Sequence, residues 1–506
     1  MSEGAEHKRP LRPLAFGLYN PKAELSICPP REDRSRVHYI STRGEASKLG
    51  FEDVLLAGLA RDGGLYVPES WPALSRETIA GFAGKPFAEV AVEVIHPFTG
   101  GAITRSELRQ MADEAYRSFG HPAVTPLVQI DRNTWILELF HGPTLAFKDV
   151  AMQLLARLMD HVLAKRGSRA TIVGATSGDT GGAAIEAFRG RRQVDVVILF
   201  PDGRVSDVQR RMMTTPTDPN VHAVAVEGTF DDCQALVKGM FNDHGFRDRV
   251  GLSGVNSINW ARIVAQVTYY FVAAVALGAP FRKVTFAVPT GNFGDIFAGY
   301  VAKRMGLPVE ALVIASNAND ILPRAYECGT YEMKSVQATT SPSMDIQISS
   351  NFERYLFEAS GRDAALIRAQ MGLLGQGGRF ELKGTHATMR QDFRAAAASE
   401  ADIAAAIRKV DGESGYLMDP HTACGYVALA KTSDPGPAPA VILSTAHPAK
   451  FPDAIEAITG RSPALPARLS NLMTDAERFL RLPNDLARIE TYVAERARAA
   501  GGKGRG

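Results

Sequence analysis

The sequence predicts an α/β protein built on parallel sheets with helices on both faces. Three observations carry that prediction. From Thr134 onward, short β-branched runs alternate with amphipathic helical runs, the rhythm of βαβ units. Two glycine-rich turns, TSGDTGG at 176–182 and PTGNFGD at 289–295, each stand between a strand-like run and a helical one. One lysine, Lys148, lies in the run HGPTLAFKDVAMQ between Leu145, Ala146 and Phe147 on one side and Val150, Ala151 and Met152 on the other.

In order, the expected elements are strand WILELF, helix 149–165, strand ATIVGA, helix GGAAIEAF, strand VDVVILF and helix 206–213. The rhythm resumes with HAVAVEG, helix 231–242, the helix after Asn259, strand KVTFAVP, helix DIFAGYVAKRM and strand ALVIASN. Between about 350 and 415 the sequence turns helical and alanine-rich, which reads as a helical insertion, and the sheet is expected to return only at AVILSTAH. Residues 38–130 mix turn signals such as DGGLYVP with the helical run SELRQMADEAYRSF and read as an N-terminal accessory domain, followed by a catalytic region of two α/β subdomains over 131–460. Residues 1–37, polar and dotted with proline, read as a disordered extension, and 461–506 as C-terminal helices ending in the flexible tail GGKGRG. No period of twenty to fifty residues recurs, which excludes a repeat protein.

Composition narrows the function classes. With 57 basic and 55 acidic residues among 506, the formal charge is +2, so no overall field argues for nucleic acid or an anionic membrane. Cys28, Cys233, Cys328 and Cys424 are far apart and form neither a metal-ligand spacing nor a disulfide framework, so no metal is expected and a reducing cytoplasm fits. The stretch 263–281 carries no charged residue for nineteen positions. Gln266, Thr268, Gly278 and Pro280 interrupt it, and Tyr269 and Tyr270 need polar partners, so it reads as a helix buried in a large core and not as a membrane span. The N-terminus lacks the apolar segment of a secretion signal.

Chemistry concentrates at three places. A desolvated lysine loses proton affinity and can form a Schiff base with a carbonyl, although Lys148 could also snorkel out of a helix and pair with Asp149 or solvent. Each glycine-rich turn offers backbone N–H groups and the positive end of a helix to a phosphate or carboxylate, though such turns also arise where helix and strand must pack closely. Neither turn matches the P-loop or the dinucleotide fingerprint. One buried lysine with two such turns suggests a small anionic substrate and a phosphorylated cofactor.

Taken with YISTRG, DGGLYVP, LELFHGPTLAFKD, VGATSGDTGGAAI, GTFDDCQALVK, NSINWAR, PTGNFGD, SNFERYLF, DPHTA and LSTAHPAKF, in that order over some four hundred residues, the chain resembles the threonine synthase family, closest to its long fungal and enterobacterial type. The resemblance implies a fold-type II, tryptophan-synthase-β-like scaffold and pyridoxal 5'-phosphate as cofactor. It implies that O-phospho-L-homoserine and water become L-threonine and phosphate, the last step of threonine biosynthesis. By the same resemblance Lys148 forms the Schiff base and shuttles protons. Gly291, Asn292, Phe293 and Asp295 form the cofactor phosphate loop, with Asp295 expected to bond backbone N–H groups or cap its helix. A hydroxyl, that of Thr445 with Ser444 as the fallback, meets the pyridine nitrogen; ordinary strand-end hydrogen bonding is the bland alternative for both.

Ser177, Asp179 and Thr180 look like the substrate loop, with Asp179 orienting the loop or facing the ring's phenolic oxygen. Ser257, Asn259 and Arg262 could receive the leaving phosphate, with an interior salt bridge as the competing role of Arg262. Ser206 and Gln209 are weaker candidates for that pocket, and His421 and His447, each beside a proline, are assigned no catalytic role. An O-phosphohomoserine phospho-lyase, giving 2-oxobutyrate, phosphate and ammonia on the same scaffold, is the alternative activity. The expected partner is the small-molecule substrate alone, with no nucleic acid or membrane, on a monomer or homodimer.

Overall fold

Two parallel sheets, their strands too apolar to face water on either side, organise the chain. The eight residues of Val194–Pro201 and the six of Val284–Pro289 are all buried, as expected of strands covered by helices on both faces. The computed structural model describes residues 37–432 and 437–500. Residues 1–36 of the expected extension, Cys28 with them, and the closing GGKGRG lie outside the described residues.

The larger sheet has six strands in the order Phe393–Ala397, Val309–Ser316, Val284–Pro289, Ala440–Ser444, Thr134–Glu138 and Leu127–Gln129. All pairings are parallel except the last. The second sheet has five parallel strands in the order Leu480–Pro483, Val221–Glu227, Val194–Pro201, Ala170–Ala175 and Leu252–Ser253. Between the expected and observed elements of this region the bounds differ by one or two residues. Helix 149–165, for example, begins one residue earlier, as Lys148–Lys165, which places Lys148 at its first position.

Two expectations are corrected. The alanine-rich region 350–415 is not wholly helical: Phe393–Ala397 pairs in parallel with Val309–Ser316 and forms the edge of the larger sheet, and Arg379–Glu381 pairs with Thr330–Glu332. The run FRAAA has no β-branched residue, so only its sheet partner makes it a strand. The C-terminal region is likewise more than helices, because Leu480–Pro483 adds a strand beside Val221–Glu227 before the helix Leu486–Arg496.

The apolar stretch after Asn259 forms the helix Trp260–Ala276. It packs against helices Phe87–Thr99, Lys148–Lys165 and Gly294–Arg304, so nearly every side has a neighbour. That surrounding explains its hydrophobicity all round. Among the described residues no helix is long and apolar enough to cross a membrane. The carboxyl ends of Ala170–Ala175, Val284–Pro289 and Ala440–Ser444 lead directly into TSGDTGG, PTGNFGD and STAHPAKF. Ligands of open α/β sheets bind beyond such strand ends.

Candidate active site

Lys148 is 8 % exposed and heads its helix, where the unpaired N–H groups make the local field positive. Burial lowers its proton affinity, and Lys450 and Arg262 lower it further, while Asp179 works in the opposite direction. The loop before it is tightly specified. Asp149 accepts from the Thr144 amide and hydroxyl, both at 2.7 Å, and a Cβ on Gly142 would come within 2.3 Å of the Asp149 Cβ, so this turn needs glycine. Burial pushes the Asp149 carboxyl up to about 6 despite those bonds. Leu145 sits at φ 58°, a left-handed conformation unusual for a leucine, and its carbonyl accepts from the His447 amide at 3.0 Å. The Phe147 amide donates to the Thr445 carbonyl at 2.8 Å, so the lysine loop and the STAH segment are laced together.

Asp179, at the start of the helix Asp179–Phe188, is the hub. Its Oδ1 accepts from Lys450 Nζ at 2.6 Å and Gln209 Nε2 at 3.0 Å, and its Oδ2 from Ser343 Oγ at 2.9 Å and Lys148 Nζ at 3.3 Å. Burial alone would raise this carboxyl, but the two ammonium groups and these bonds hold it well below the usual carboxylate range. Ser206 caps the next helix and donates to Gln209 Oε1 at 3.1 Å, so the pair acts through Asp179. Within the turn, Thr176 Oγ1 accepts from the amides of Gly178 and Gly181, both at 3.0 Å. Ser177 is exposed and Thr180 half-buried, and neither hydroxyl has a protein partner among the described residues.

The PTGNFGD turn is built differently. Phe293 adopts φ 62° and leads into helix Gly294–Arg304, whose first-turn amides point into the turn without helical acceptors. Ser349 Oγ donates to the Gly291 carbonyl at 2.6 Å, Ser350 Oγ to Asn292 Oδ1 at 3.0 Å, and the amide and side chain of Asn351 both to the Asn292 carbonyl at 3.0 Å. A Cβ on Gly291 would meet the Ser343 carbonyl at 2.9 Å. Asp295 neither caps its helix nor bonds backbone N–H groups, a correction to the expectation: the Tyr269 and Tyr270 hydroxyls donate to its Oδ1 at 2.5 and 2.9 Å, and its Oδ2 is buried without a partner. The donors that reach its carboxylate are the tyrosines of the central helix. Burial raises the carboxyl to about 7 against those two bonds.

Arg262 is 3 % exposed, yet no carboxylate lies within 4 Å of it among the described residues. Nη1 donates to the Val255 carbonyl at 3.2 Å, Nε is buried and unpaired, and burial lowers the guanidinium to about 10. The interior salt bridge considered for it is therefore absent. Such a buried cation lacks an anion. Ser257 lies beside it in chain, its carbonyl accepting from Asn351 Nδ2 at 3.3 Å. Asn259 does not join the site: its side chain donates to the Leu55 carbonyl at 2.9 Å and accepts from the Ala261 amide at 3.0 Å, which makes it a helix cap and a tie to the N-terminal region.

At the end of the central strand, Ser444 Oγ is bonded to Thr422 Oγ1 at 2.8 Å, whereas Thr445 is a buried residue whose hydroxyl has no protein partner among the described residues. His421 Nε2 accepts from the Ser343 amide at 3.3 Å, so the proton is on Nδ1, which donates to Asp419 at 2.7 Å. His421 thus holds the 342–344 turn over the hub. Burial lowers His447 to about 4, and its Nδ1 accepts from the Ala449 amide. Sequence reasoning missed Lys450 and Ser343. Lys450 carried the signal that identified Lys148, a lysine between apolar neighbours, here Ala449 and Phe451. Among the described residues no three His, Cys, Asp or Glu side chains are grouped to hold a metal.

These residues fit the expected cofactor. An amine of lowered proton affinity, a helix N-terminus preceded by a glycine turn with free amides, and a hydroxyl at the strand end that has no protein partner among the described residues are the groups that its aldehyde, phosphate and ring nitrogen call for.

Three family models match the chain: "Threonine synthase N terminus" over residues 38–116, "Pyridoxal-phosphate dependent enzyme" over 119–445, and "Threonine synthase, C-terminal" over 422–493. A threonine synthase of Pseudomonas aeruginosa is 51% identical over 461 residues, covering 91% of this chain and 98% of its own length. The crystal structure of the PLP-bound threonine synthase from Brucella melitensis superimposes with a TM-score of 0.90 at 60% identity, covering 91% of this chain and all of that one. The yeast threonine synthase structure gives 0.87 at 38% identity, with coverages of 92% and 99%.

Proposed function

The chain belongs to the threonine synthase family, a pyridoxal-phosphate-dependent lyase of fold-type II acting on a small molecule, and from that premise we propose that it converts O-phospho-L-homoserine and water to L-threonine and phosphate. The observation that carries the proposal is the buried charge itself: Lys148 and Lys450 share one carboxylate, Asp179, and Arg262, whose charge reaches Lys148, has no carboxylate within 4 Å among the described residues, leaving an excess of buried positive charge beside two helix N-termini. A site so charged favours a small substrate bearing phosphate and carboxylate.

Pyridoxal phosphate, when bound, supplies the electron sink for negative charge developing at the substrate's Cα and Cβ. The rest falls to the chain. Lys148 would hold the cofactor's aldehyde carbon and, as a free amine, would take and return protons at the substrate's Cα and Cβ; its lowered proton affinity suits one amine to both directions. Gly291, Asn292 and Phe293 hold the cofactor phosphate on the amides of their turn. Asp295, with its carboxyl raised to about 7, is only partly ionised near neutrality and so adds less negative charge there than an ordinary aspartate. The Thr445 hydroxyl meets the ring nitrogen, since Ser444 is already committed to Thr422. Arg262, with Ser257, receives the phosphate leaving Cγ, and Ser177 and Thr180 bind the substrate at the other turn. Asn259 is withdrawn from the ligands, its amide being occupied elsewhere. The Pro342–Met344 turn, fixed by Ser343 to Asp179 and by His421, limits water at the hub, so that the water that adds at Cβ enters in a set place. We place the enzyme in the cytoplasm, a reading supported by the unpaired state of Cys233, Cys328 and Cys424.

Product analysis tests the proposal. Cofactor-loaded protein given O-phospho-L-homoserine should release threonine and phosphate in equal amounts; phosphate matched by 2-oxobutyrate would assign the phospho-lyase reaction instead.

A further inference from the structure

A second lysine occupies the hub. Lys450 is 1 % exposed, deeper than Lys148, and takes the nearer seat on Asp179, 2.6 Å from Oδ1, while Lys148 stands 3.3 Å from Oδ2. A further bond from Lys450 Nζ, to the Thr144 carbonyl at 2.9 Å, anchors it to the loop that Asp149 fixes ahead of Lys148. Both contacts tie its ammonium to the protein itself.

The arrangement answers an electrostatic problem. Joining Lys148 to an aldehyde replaces its ammonium by a C=N bond: an ammonium first releases a proton to solvent, the two remaining N–H hydrogens leave with the aldehyde oxygen as water, and the carbon takes their place. Asp179 would then be a buried carboxylate deprived of its cation, a costly state. With Lys450 in place it remains paired throughout. We propose that Lys450 is a positioning residue that holds Asp179 as its permanent partner, leaving Lys148 free to form and break the cofactor linkage without stranding a buried charge. This rests on the reading of Lys148 as the cofactor lysine.

The charged groups facing Lys148 support the division of labour. Asp179 comes from the helix Asp179–Phe188, Arg262 from the central helix, and Lys450 from the segment after Ala440–Ser444; Asp149, on its own helix, is committed to Thr144. Lys450 in turn faces Asp179, Thr144 and the field of Asp149. Deleting the Lys450 charge removes a repulsion on Lys148 and leaves it as the only ammonium on Asp179, both of which favour the protonated, unreactive amine.

The test uses full-length protein saturated with pyridoxal phosphate, following the visible absorbance of the linked cofactor against pH, borohydride trapping with peptide mapping, and thermal melts. Lys450→Met should move the loading midpoint upward by about one pH unit or more, so that below both midpoints about tenfold less Lys148 is linked. Lys450→Arg should restore the wild-type midpoint even where its melting temperature falls, which a purely structural role would not produce. Asp179→Asn, which keeps Lys450 and removes the carboxylate, should move the midpoint the other way, and it decides the matter should Lys450→Met fail to fold. A folded Lys450→Met with the wild-type midpoint, or an Asp179→Asn midpoint that rises, overturns the proposal. Trapping of wild-type protein at a residue other than Lys148 would overturn the underlying reading instead.

Discussion

The turns TSGDTGG and PTGNFGD share two glycines at the same spacing and the same place between strand and helix, and differ in charge. Each joins a buried parallel strand to a helix and carries an aspartate in the first helical turn. Asp179 meets two lysines and is held well below the usual carboxylate range; Asp295 meets two tyrosines, has one oxygen without a partner, and rises to about 7. The difference comes from a third element. Lys148 and Lys450 approach the first turn, whereas Tyr269 and Tyr270 of the central helix approach the second. A motif of this kind specifies where an anion can be held, and the neighbours decide whether the turn contributes charge or withholds it. On the proposed reading the first turn is the charged hub beside the proton-carrying lysine, and the second the less charged cradle for a phosphate.

The contrast can be tested from its largest expected consequence to its smallest. Lys148→Ala should lower turnover by at least about 10³-fold while leaving the thermal melt near wild type, because it removes both the amine and the proton carrier. Asp179→Asn should lower kcat on the order of 10²-fold through misplacement of Lys148. Arg262→Ala should raise KM for O-phospho-L-homoserine about tenfold or more, the scale of one charge-assisted hydrogen bond, with cofactor affinity unchanged. Asp295→Asn should change kcat by less than about threefold. A loss at Asp295 as large as that at Asp179 would erase the distinction between the turns.

Stability against pH separates them in sign. The Asp295 carboxyl is raised on folding, so its contribution is present below roughly pH 4, where folded and unfolded chains are both protonated, and is lost as pH rises to about 7. Above that the buried carboxylate costs up to about 4 kcal/mol, and Asp295→Asn should gain in melting temperature relative to wild type between those limits. Asp179 is depressed on folding, so its contribution is present above the ordinary aspartate value and is lost as pH falls below it. Melts of the two asparagine variants across this range give opposite trends if the assignments hold.

How much of this was legible in the chain depended on how local the cause was. Strands such as VDVVILF and VTFAVP, with their β-branched runs, and Lys148 among apolar residues declare themselves within a few positions. FRAAA and LRLP do not, since each is a strand only because a neighbouring strand lies beside it. Asn259 looked like a ligand in NSINWAR, yet Leu55, some two hundred residues earlier, takes its amide. Asp295 looked like a cap, and the tyrosines that claim it come from a different helix. Lys450 was visible by the criterion applied to Lys148, but its proximity to Asp179 is a tertiary fact.

The most direct measurement is infrared difference spectroscopy of the carboxyl region at a pH just below neutrality, comparing wild type with Asp295→Asn and Asp179→Asn. A protonated-carboxyl C=O band should be lost in Asp295→Asn and kept in Asp179→Asn, since of these two aspartates only the tyrosine-bound one carries a proton there, any band of Asp149 being common to all three proteins. A band that survives in Asp295→Asn and is lost in Asp179→Asn would contradict the division of the site into a charged hub and a neutral cradle.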